Sequence, residues 1–106
     1  MDTKKLIKAI KLQQFEWRKH TLQRLSEREI SQESVINVLT KGEQIEDYPD
    51  DKPYPCALFL GFIKEWPLHV VVVLDETNKW AYIITAYEPN LEYFESDFQT
   101  SIKKRI

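Results

Sequence analysis

The sequence predicts an α+β domain in which N-terminal helices pack on a four-stranded antiparallel sheet. Three observations support this fold class: helical apolar spacing extends as far as Gly42, strand-like runs follow it, and the connections between those runs are short. Parallel pairing requires a crossover of a dozen or more residues, so short connections favour antiparallel strands. At 106 residues the chain is long enough for one domain with a single core.

Each of the three predicted helices has its own local signal. Apolar side chains recur at helical spacing over residues 3–14, and a second amphipathic stretch covers residues 18–29. Ser31 is a good N-cap for a third helix that runs to about Lys41, where Gly42 supplies the C-terminal stop. We therefore expect three helices before any strand.

The second half of the chain carries four runs typical of β-strands. They cover residues 44–48, 57–63, 68–75 and 80–87. Prolines between the first two runs require a loop there, and Trp66 and Pro67 are expected to bound a tight connection to the third run. Gly61 indicates either a β-bulge or a close approach of another backbone.

Composition excludes several function classes. The one cysteine, Cys56, can form neither an internal disulfide nor a multi-cysteine metal site, and it fits a reducing cytoplasm. Residues 70–74 form the longest strongly apolar run, which is too short to cross a bilayer, so we expect no membrane insertion. The sequence has no glycine-rich phosphate loop, no nucleophile elbow and no metal-ligand motif, so we expect no cofactor and no metal ion.

Charge is distributed unevenly along the chain. The net charge of −2 argues against nucleic-acid binding by the chain as a whole. Residues 1–30, however, carry +4, residues 31–98 carry −9, and the last residues add +3 from Lys103, Lys104 and Arg105. Such asymmetry can concentrate an anion on one side of the molecule, or give a protein partner two patches to recognise. Solvated helix faces are the ordinary alternative.

Three side chains recur at every fourth position of the second predicted helix, namely His20, Arg24 and Arg28. A helix turns by about 100° per residue, so this spacing places them on one face. The result is a cationic stripe that includes one titratable ring. A stripe of this kind is typical of a phosphate-binding surface.

Three further polar candidates lie on the last two predicted strands. His69 begins the run LHVVVVL, and Thr85 and Tyr87 lie in ITAYEP. On a regular strand Thr85 and Tyr87 would share a face with Ile83. If the second helix sits at the end of the sheet, its stripe meets these residues at one edge.

Histidine and arginine together suffice for metal-independent RNA cleavage. A base removes the proton of the ribose 2′-OH, cations stabilise the charge of the phosphorane, and an acid protonates the leaving 5′-oxygen. Histidine suits both proton transfers because its ordinary pKa lies near neutral pH. Arginine binds phosphate oxygens with a planar fork that never loses its charge. Thr85 or Tyr87 can hydrogen-bond a phosphate or orient a base.

Each candidate also has an ordinary structural explanation. His20 is alternatively a partly buried ring at a helix start, and His69 a ring that satisfies a loop carbonyl. Thr85 is a common β-former. The two arginines can form surface ion pairs worth about 0–1 kcal/mol each. Their candidate partners are Glu27, Glu29 and Glu33.

Four runs along the chain together resemble a bacterial family. They are HTLQRLSEREIS, VINVLTKGEQIEDY, PLHVVVVLD and IITAYEP, and they lie within about residues 15–98. The chain resembles a widespread uncharacterised family of small domains with the pattern H-x3-R-x3-R-x-I-S, a later L-H-V-V and an I-x-T-x-Y-x-P ending. That family is similar to the RelE, ParE and BrnT toxins and to the wider group of metal-independent ribonuclease folds.

The resemblance implies a single RelE/BrnT-like domain, helices packed on an antiparallel sheet, and RNA cleavage without a metal ion. It also implies a cognate antitoxin protein that neutralises the activity. Carried over by position, His20 and Arg24 are catalytic candidates, Arg28 and His69 are phosphate contacts or acid/base partners, and Thr85 is a supporting polar group. Together with the chemistry of the residues themselves, the candidate catalytic residues are His20, Arg24 and His69. The candidate substrate-binding residues are Arg28, Thr85 and Tyr87.

Two other functions stay open. The same fold can serve as a non-catalytic interaction module, which would use the charge asymmetry and the aromatic residues Tyr48, Tyr54 and Trp66. A ParE-like member would instead inhibit a topoisomerase. The acidic pI of about 5.7 departs from the basic character typical of ribosome-dependent RelE toxins.

Overall fold

A computed structural model of the protein describes residues 1–89, and the basic end at residues 103–105 lies outside them. The described elements are α1 Thr3–Lys11, β1 Phe15–Trp17, α2 Thr21–Glu27, α3 Gln32–Lys41, β2 Glu43–Tyr48, β3 Cys56–Ile63, β4 Trp66–Asp75 and β5 Trp80–Tyr87. The described part of the chain is α+β, with its helices mostly before its strands.

The sheet contains five strands among the described residues, in the order β1-β5-β4-β3-β2. β1 runs parallel to β5, with Phe15 opposite Ala81 and Trp17 opposite Ile83, and the other neighbouring pairs are antiparallel. The predicted four-stranded antiparallel sheet is therefore wrong, and so is the prediction of three helices before any strand. β1 has only three residues, too few to show the alternation that marks a strand in a sequence.

The helices pack on one face of this sheet, and the core lies between them. Val70, Val72 and Leu74 of β4 are buried on that face, because alternate strand residues point to the same side. Gly61 of β3 lies against α3, where an added Cβ would meet Cγ2 of Val38 at 2.6 Å. Of the two alternatives that the sequence left for Gly61, the structure shows the close approach.

The ends of α3 are those that the sequence predicted, whereas the start of α2 is not. The Ser31 hydroxyl accepts a main-chain hydrogen bond in the first turn of α3, and Gly42 is the C-cap. α2 is shorter than the predicted 18–29. The N–H of Arg18 donates to the main-chain oxygen of Ile83 at 3.0 Å, so this residue continues the pairing of β1 instead of beginning a helix.

β3 and β4 are joined by a two-residue turn formed by Lys64 and Glu65. Both residues have positive φ, at 49° and 74°, as in the type I′ turns that match the twist of paired strands. The connection is tight, as predicted, but β4 begins at Trp66 and not at the predicted residue 68, because Trp66 pairs with Ile63. The Trp66 side chain stands at the tip of the hairpin and is 66% exposed.

A register shift in β5 decides which of its side chains share a face. Tyr87 lies opposite His69 of β4. The register shifts between Ile83 and Thr85, so Ile84 is the additional residue of a β-bulge. Ile83 consequently lies in the core beneath the helices. The prediction that Thr85 and Tyr87 share a face with Ile83 is therefore wrong. The two residues lie on the opposite face, together with His69.

Candidate functional site

Helix α2 lies along the part of the β5 edge that extends beyond β1. Trp17, the last residue of β1, pairs with Ile83. Thr21 is buried in the first turn of α2, and its hydroxyl shares a hydrogen bond between the main-chain oxygens of Ile83, at 3.2 Å, and Ile84, at 2.8 Å. The bond satisfies carbonyl groups that an open sheet edge would present to another chain. It also fixes α2 relative to the sheet.

The α2 stripe, defined as His20, Arg24 and Arg28, is exposed along its whole length. His20 is the N-cap residue of α2, but its side chain makes no capping hydrogen bond. His20 and Arg24 line an open depression of about 300 Å³ together with Gln23 and Glu27. An imidazole and a guanidinium therefore face the same depression, one helical turn apart.

Carboxylates near the stripe do not neutralise its arginines. Glu27 accepts a hydrogen bond from Nε2 of Gln23 at 3.2 Å. Within residues 1–89, no carboxylate oxygen lies within 4.0 Å of a side-chain nitrogen of Arg24 or Arg28. The ion pairs that offered an ordinary explanation for the two arginines are thus not formed in this part of the chain.

Arg28 ends the stripe and connects it to the sheet. Its Nη1 donates to Oγ1 of Thr85 at 3.1 Å and to the main-chain oxygen of Ala86 at 2.8 Å. A guanidinium has five N–H donors, so these two bonds do not exhaust it. Arg28 and Tyr87 line a second open depression of about 360 Å³, together with Ile30 and Glu88.

His69 does not line this second depression. The residue is fully buried, and its ring meets the Tyr87 ring edge-to-face, with centroids 5.5 Å apart and planes at 62°. Burial raises the pKa of the Tyr87 phenol, the charge of Glu46 raises it further, and Arg28 lowers it. Tyr87 is therefore a neutral hydroxyl at physiological pH, able both to donate and to accept a hydrogen bond.

The six candidate residues form two groups and not one cleft. The first group, in the depression at the start of α2, consists of His20 and Arg24. The second group, at the end of β5, consists of Arg28, Thr85, Tyr87 and His69. The two groups are connected by α2 itself, because Arg28 follows Arg24 along the same helix face.

Sequence reasoning missed Thr21, the residue that positions α2. Its signal was present: Thr21 lies four residues before Leu25, and both are buried, so a hydroxyl occurs on the apolar face of an amphipathic helix. A hydroxyl in that position needs a hydrogen-bond partner. Glu88 was also missed, since it follows the last predicted strand and has no pattern of its own.

A further cavity, of about 230 Å³, lies away from both groups. α1 and the turn between β4 and β5 contribute its cationic rim, formed by Lys5, Lys8 and Lys79. Glu76 belongs to the same lining, and its carboxylate lies 3.6 Å from Nζ of Lys5. Because the cavity contains neither histidine nor arginine, we do not assign the phosphate chemistry to it.

Neither a cluster of metal ligands nor a membrane span accompanies the two groups in the described part of the chain. Within residues 1–89, no group of three or more histidine, cysteine, aspartate and glutamate side chains could hold a metal ion. No helix in that range is long and apolar enough to cross a membrane.

A family model described as "Domain of unknown function (DUF4258)" matches residues 17–88. The matched segment contains both groups of candidate residues and omits all of α1. No curated protein matches the chain, and no solved structure matches it. The geometry of the two groups is therefore the main guide to function.

Proposed function

We propose that this chain, which belongs to the DUF4258 domain family, cleaves RNA without a metal ion by means of the exposed α2 stripe. The family description gives no function. One observation carries the proposal. His20 and Arg24 face the same open depression, and within residues 1–89 Arg24 has no carboxylate within 4.0 Å. A proton acceptor and an uncompensated phosphate-binding cation are thus adjacent at the surface.

The proposed reaction uses the 2′-hydroxyl of the RNA itself. His20 takes the 2′-OH proton, and the 2′-oxygen attacks the neighbouring phosphorus. Arg24 stabilises the additional negative charge of the phosphorane. The bond from phosphorus to the 5′-oxygen then breaks, and that oxygen takes a proton from water in the open depression. The products are a 2′,3′-cyclic phosphate and a 5′-hydroxyl, and His20 returns its proton to solvent.

The second group of residues would hold the adjacent phosphate. Arg28 keeps N–H donors beyond those bonded to Thr85 and Ala86, and the neutral Tyr87 hydroxyl can donate to a phosphate oxygen. His69 is buried against Tyr87, so we assign it a positioning role through that ring. Thr85 acts in the same way, by fixing the Arg28 guanidinium.

The proposal includes a cytoplasmic location and a protein partner of the antitoxin type. Cys56 is a free cysteine, which fits a reducing compartment. Burial raises the pKa of its thiol and so favours the protonated, less reactive form. A ribonuclease acting on cellular RNA needs an inhibitor to spare the host. Co-expression with the product of a neighbouring gene would test this part of the proposal.

The decisive experiment measures cleavage of an RNA oligonucleotide by the purified chain in the presence of EDTA. We expect cleavage to a 2′,3′-cyclic phosphate, and none of the DNA oligonucleotide of the same sequence, which lacks the 2′-OH. His20→Ala should lower the rate by about 10²- to 10⁴-fold, and Arg24→Ala by about 10²- to 10³-fold.

The matched control is Lys41→Ala, which removes one exposed positive charge from α3 and should leave the rate unchanged. The three variants should melt at the same temperature as the parent. Absence of cleavage by the parent protein, or cleavage that survives His20→Ala, would refute the proposal. DNA damage with intact RNA after induced expression would indicate a topoisomerase inhibitor instead.

Binding provides a second, independent measurement. For single-stranded RNA the affinity falls as the salt concentration rises. The slope of log affinity against log salt concentration becomes less steep by about 0.7 for each phosphate that a variant no longer neutralises. Arg24→Ala should make the slope less steep by that amount, and Lys41→Ala should leave it unchanged. An unchanged slope for Arg24→Ala would mean that this residue does not bind the RNA backbone.

A second candidate function, a non-catalytic interaction module, is favoured by the exposed aromatic side chains. Trp66 is 66% exposed and Tyr48 is 45% exposed, whereas Tyr54 stacks on Tyr82 with ring centroids 6.1 Å apart. Exposed aromatics are typical of the centres of protein interfaces. This function predicts a stable protein complex without RNA cleavage and without toxicity.

A further inference from the structure

An acidic, apolar-walled depression of about 220 Å³ lies between the β3–β4 hairpin and the connection from α2 to α3. Ile30, Ile63 and Leu68 contribute apolar walls, and the exposed Trp66 ring stands at its rim. Among residues 1–89, the charged side chains in this lining are Glu29 and Glu88, and no lysine, arginine or histidine of that range belongs to it. The depression therefore combines an aromatic face, a double negative charge and aliphatic surface.

We propose that this depression, which we call the Trp66 pocket, binds an arginine side chain of a partner protein. The face of an indole ring attracts a cation, and arginine is the residue that most often fills this role. Two carboxylates can accept the N–H groups of a guanidinium. The three-carbon stem of arginine suits the isoleucine and leucine walls, because such stems pack along apolar surface while the charge stays near water.

The backbone at Glu29 supports this assignment independently. α2 ends in a Schellman motif, in which Glu29 N–H donates to the Ser26 oxygen at 3.1 Å and Ile30 N–H to the Leu25 oxygen at 2.9 Å. Glu29 has φ of 57° in the central position of this motif, which glycine occupies at least cost. The chain therefore carries a carboxylate at a position where local stability alone would favour glycine, and that carboxylate lines the Trp66 pocket.

The Trp66 pocket is adjacent to the second group of the candidate site. Ile30 and Glu88 line both the pocket and the depression that contains Arg28 and Tyr87. A partner anchored in the pocket would cover Arg28 from solvent. The inference about the pocket stands by itself, however, since it depends on Trp66 and the two glutamates and not on RNA cleavage.

The test follows the three tryptophan indole N–H signals of the ¹⁵N-labelled chain while acetyl-Ala-Arg-Ala-amide is added. Trp66→Phe identifies the Trp66 signal, and the signals of Trp17 and Trp80 are internal controls. We expect a saturable shift of the Trp66 signal alone. The peptide with citrulline in place of arginine has nearly the same shape without the charge, so it should cause no saturable shift.

Variants separate binding from folding. Glu29→Gly should weaken peptide binding by about 2- to 5-fold, the range for one surface charge pair, while raising the melting temperature because glycine suits the positive φ. Glu88→Gln should weaken binding to a similar extent. The matched control is Glu65→Gln, which removes an exposed acid of the same hairpin that does not line the pocket.

Three results would overturn the inference. The first is an equal shift with the citrulline peptide, and the second is unchanged binding in both Glu29→Gly and Glu88→Gln. The third is a Trp66 shift caused by an RNA trinucleotide and not by the arginine peptide, which would identify the pocket as a nucleobase site. RNA cleavage by the chain, present or absent, does not enter into any of them.

Discussion

Arg28 donates from Nη1 to Oγ1 of Thr85 at 3.1 Å and, with the same nitrogen, to the main-chain oxygen of Ala86 at 2.8 Å. The stripe thus contains two arginines with different structural roles, because no such bonds connect Arg24 to the sheet within residues 1–89. One holds the helix to β5, and the other has its charge available to a ligand. This difference can be measured.

Arg28→Ala should lower the free energy of unfolding by about 1 kcal/mol, the typical contribution of a hydrogen bond to a charged donor at a partly exposed site. Arg24→Ala is the matched control, since it removes the same charge from the same helix face and should change stability by less than about 0.5 kcal/mol. Urea titration of both variants provides the comparison. Equal losses in the two variants would contradict the structural role of Arg28.

Thr21→Val should destabilise the fold by about 1–3 kcal/mol, since it keeps the shape of the side chain but removes the hydroxyl that donates to Ile83 and Ile84. The Ile83 oxygen keeps its bond from the Arg18 N–H, so the main loss is at the Ile84 oxygen. Thr21→Ser keeps the hydroxyl and loses one methyl group, at a cost of about 1 kcal/mol. Chemical unfolding should therefore rank the parent above Thr21→Ser and Thr21→Ser above Thr21→Val. The reverse order of the two variants would show that packing of the methyl group matters more than the hydrogen bond.

Gly61→Ala should cost about 1–3 kcal/mol, because its Cβ would lie 2.6 Å from Cγ2 of Val38 and force α3 away from the sheet. Val38→Ala removes the clashing methyl groups. The double variant should therefore lose less stability than the sum of the two single losses, as expected for residues in contact. Simple additivity in urea unfolding would mean that α3 does not restrict this position.

Acid should abolish the stabilising effect of Asn78. This residue donates to the Asp75 carboxylate from Nδ2 at 2.7 Å and from its main-chain N–H at 3.1 Å, and the side-chain bond is the main cause that holds the pKa of Asp75 below its usual range. A lowered pKa means that ionised Asp75 favours the folded state. That contribution is complete above the unfolded pKa, at about pH 4, and is lost as the pH falls through the lower folded pKa.

Asn78→Ala should consequently melt at a lower temperature than the parent at pH 7, and the difference should shrink as the pH falls to about 2–3. The control is Thr77→Ala, which keeps the main-chain groups of the turn and should melt like the parent at both pH values. Melting curves followed by circular dichroism are sufficient. A difference that stays constant with pH would mean that Asn78 acts without the charge of Asp75.

The parts of the fold that the sequence could predict are those with local signals. Ser31 and Gly42 fixed both ends of α3, because a cap residue acts on main-chain groups a few positions away. β5 also has its predicted limits, Trp80 and Tyr87, because turn residues bound an apolar run there. Spacing alone placed the α2 stripe on one face.

The parts that could not be predicted depend on contacts between distant residues. β1 is a strand only because Phe15 and Trp17 pair with β5, and no feature within three residues reveals this. The bulge at Ile84 turns Thr85 and Tyr87 away from the core side, and the sequence alone did not locate it. The burial of His69 also depends on residues that are distant in the sequence. The sequence therefore could not show that this ring, predicted to be catalytic, is buried against Tyr87.

The parallel pairing of β1 with β5 determines when the candidate site can form. Phe15 precedes its partner Ala81 by most of the described chain, and Ala81 belongs to β5. Closing a loop of this length costs conformational entropy that contacts within a partial chain cannot offset. The edge that Thr21 and Arg28 bind is made of β5. The stripe is therefore held in place only once β5 has paired, so its assembly depends on contacts between residues far apart in the sequence.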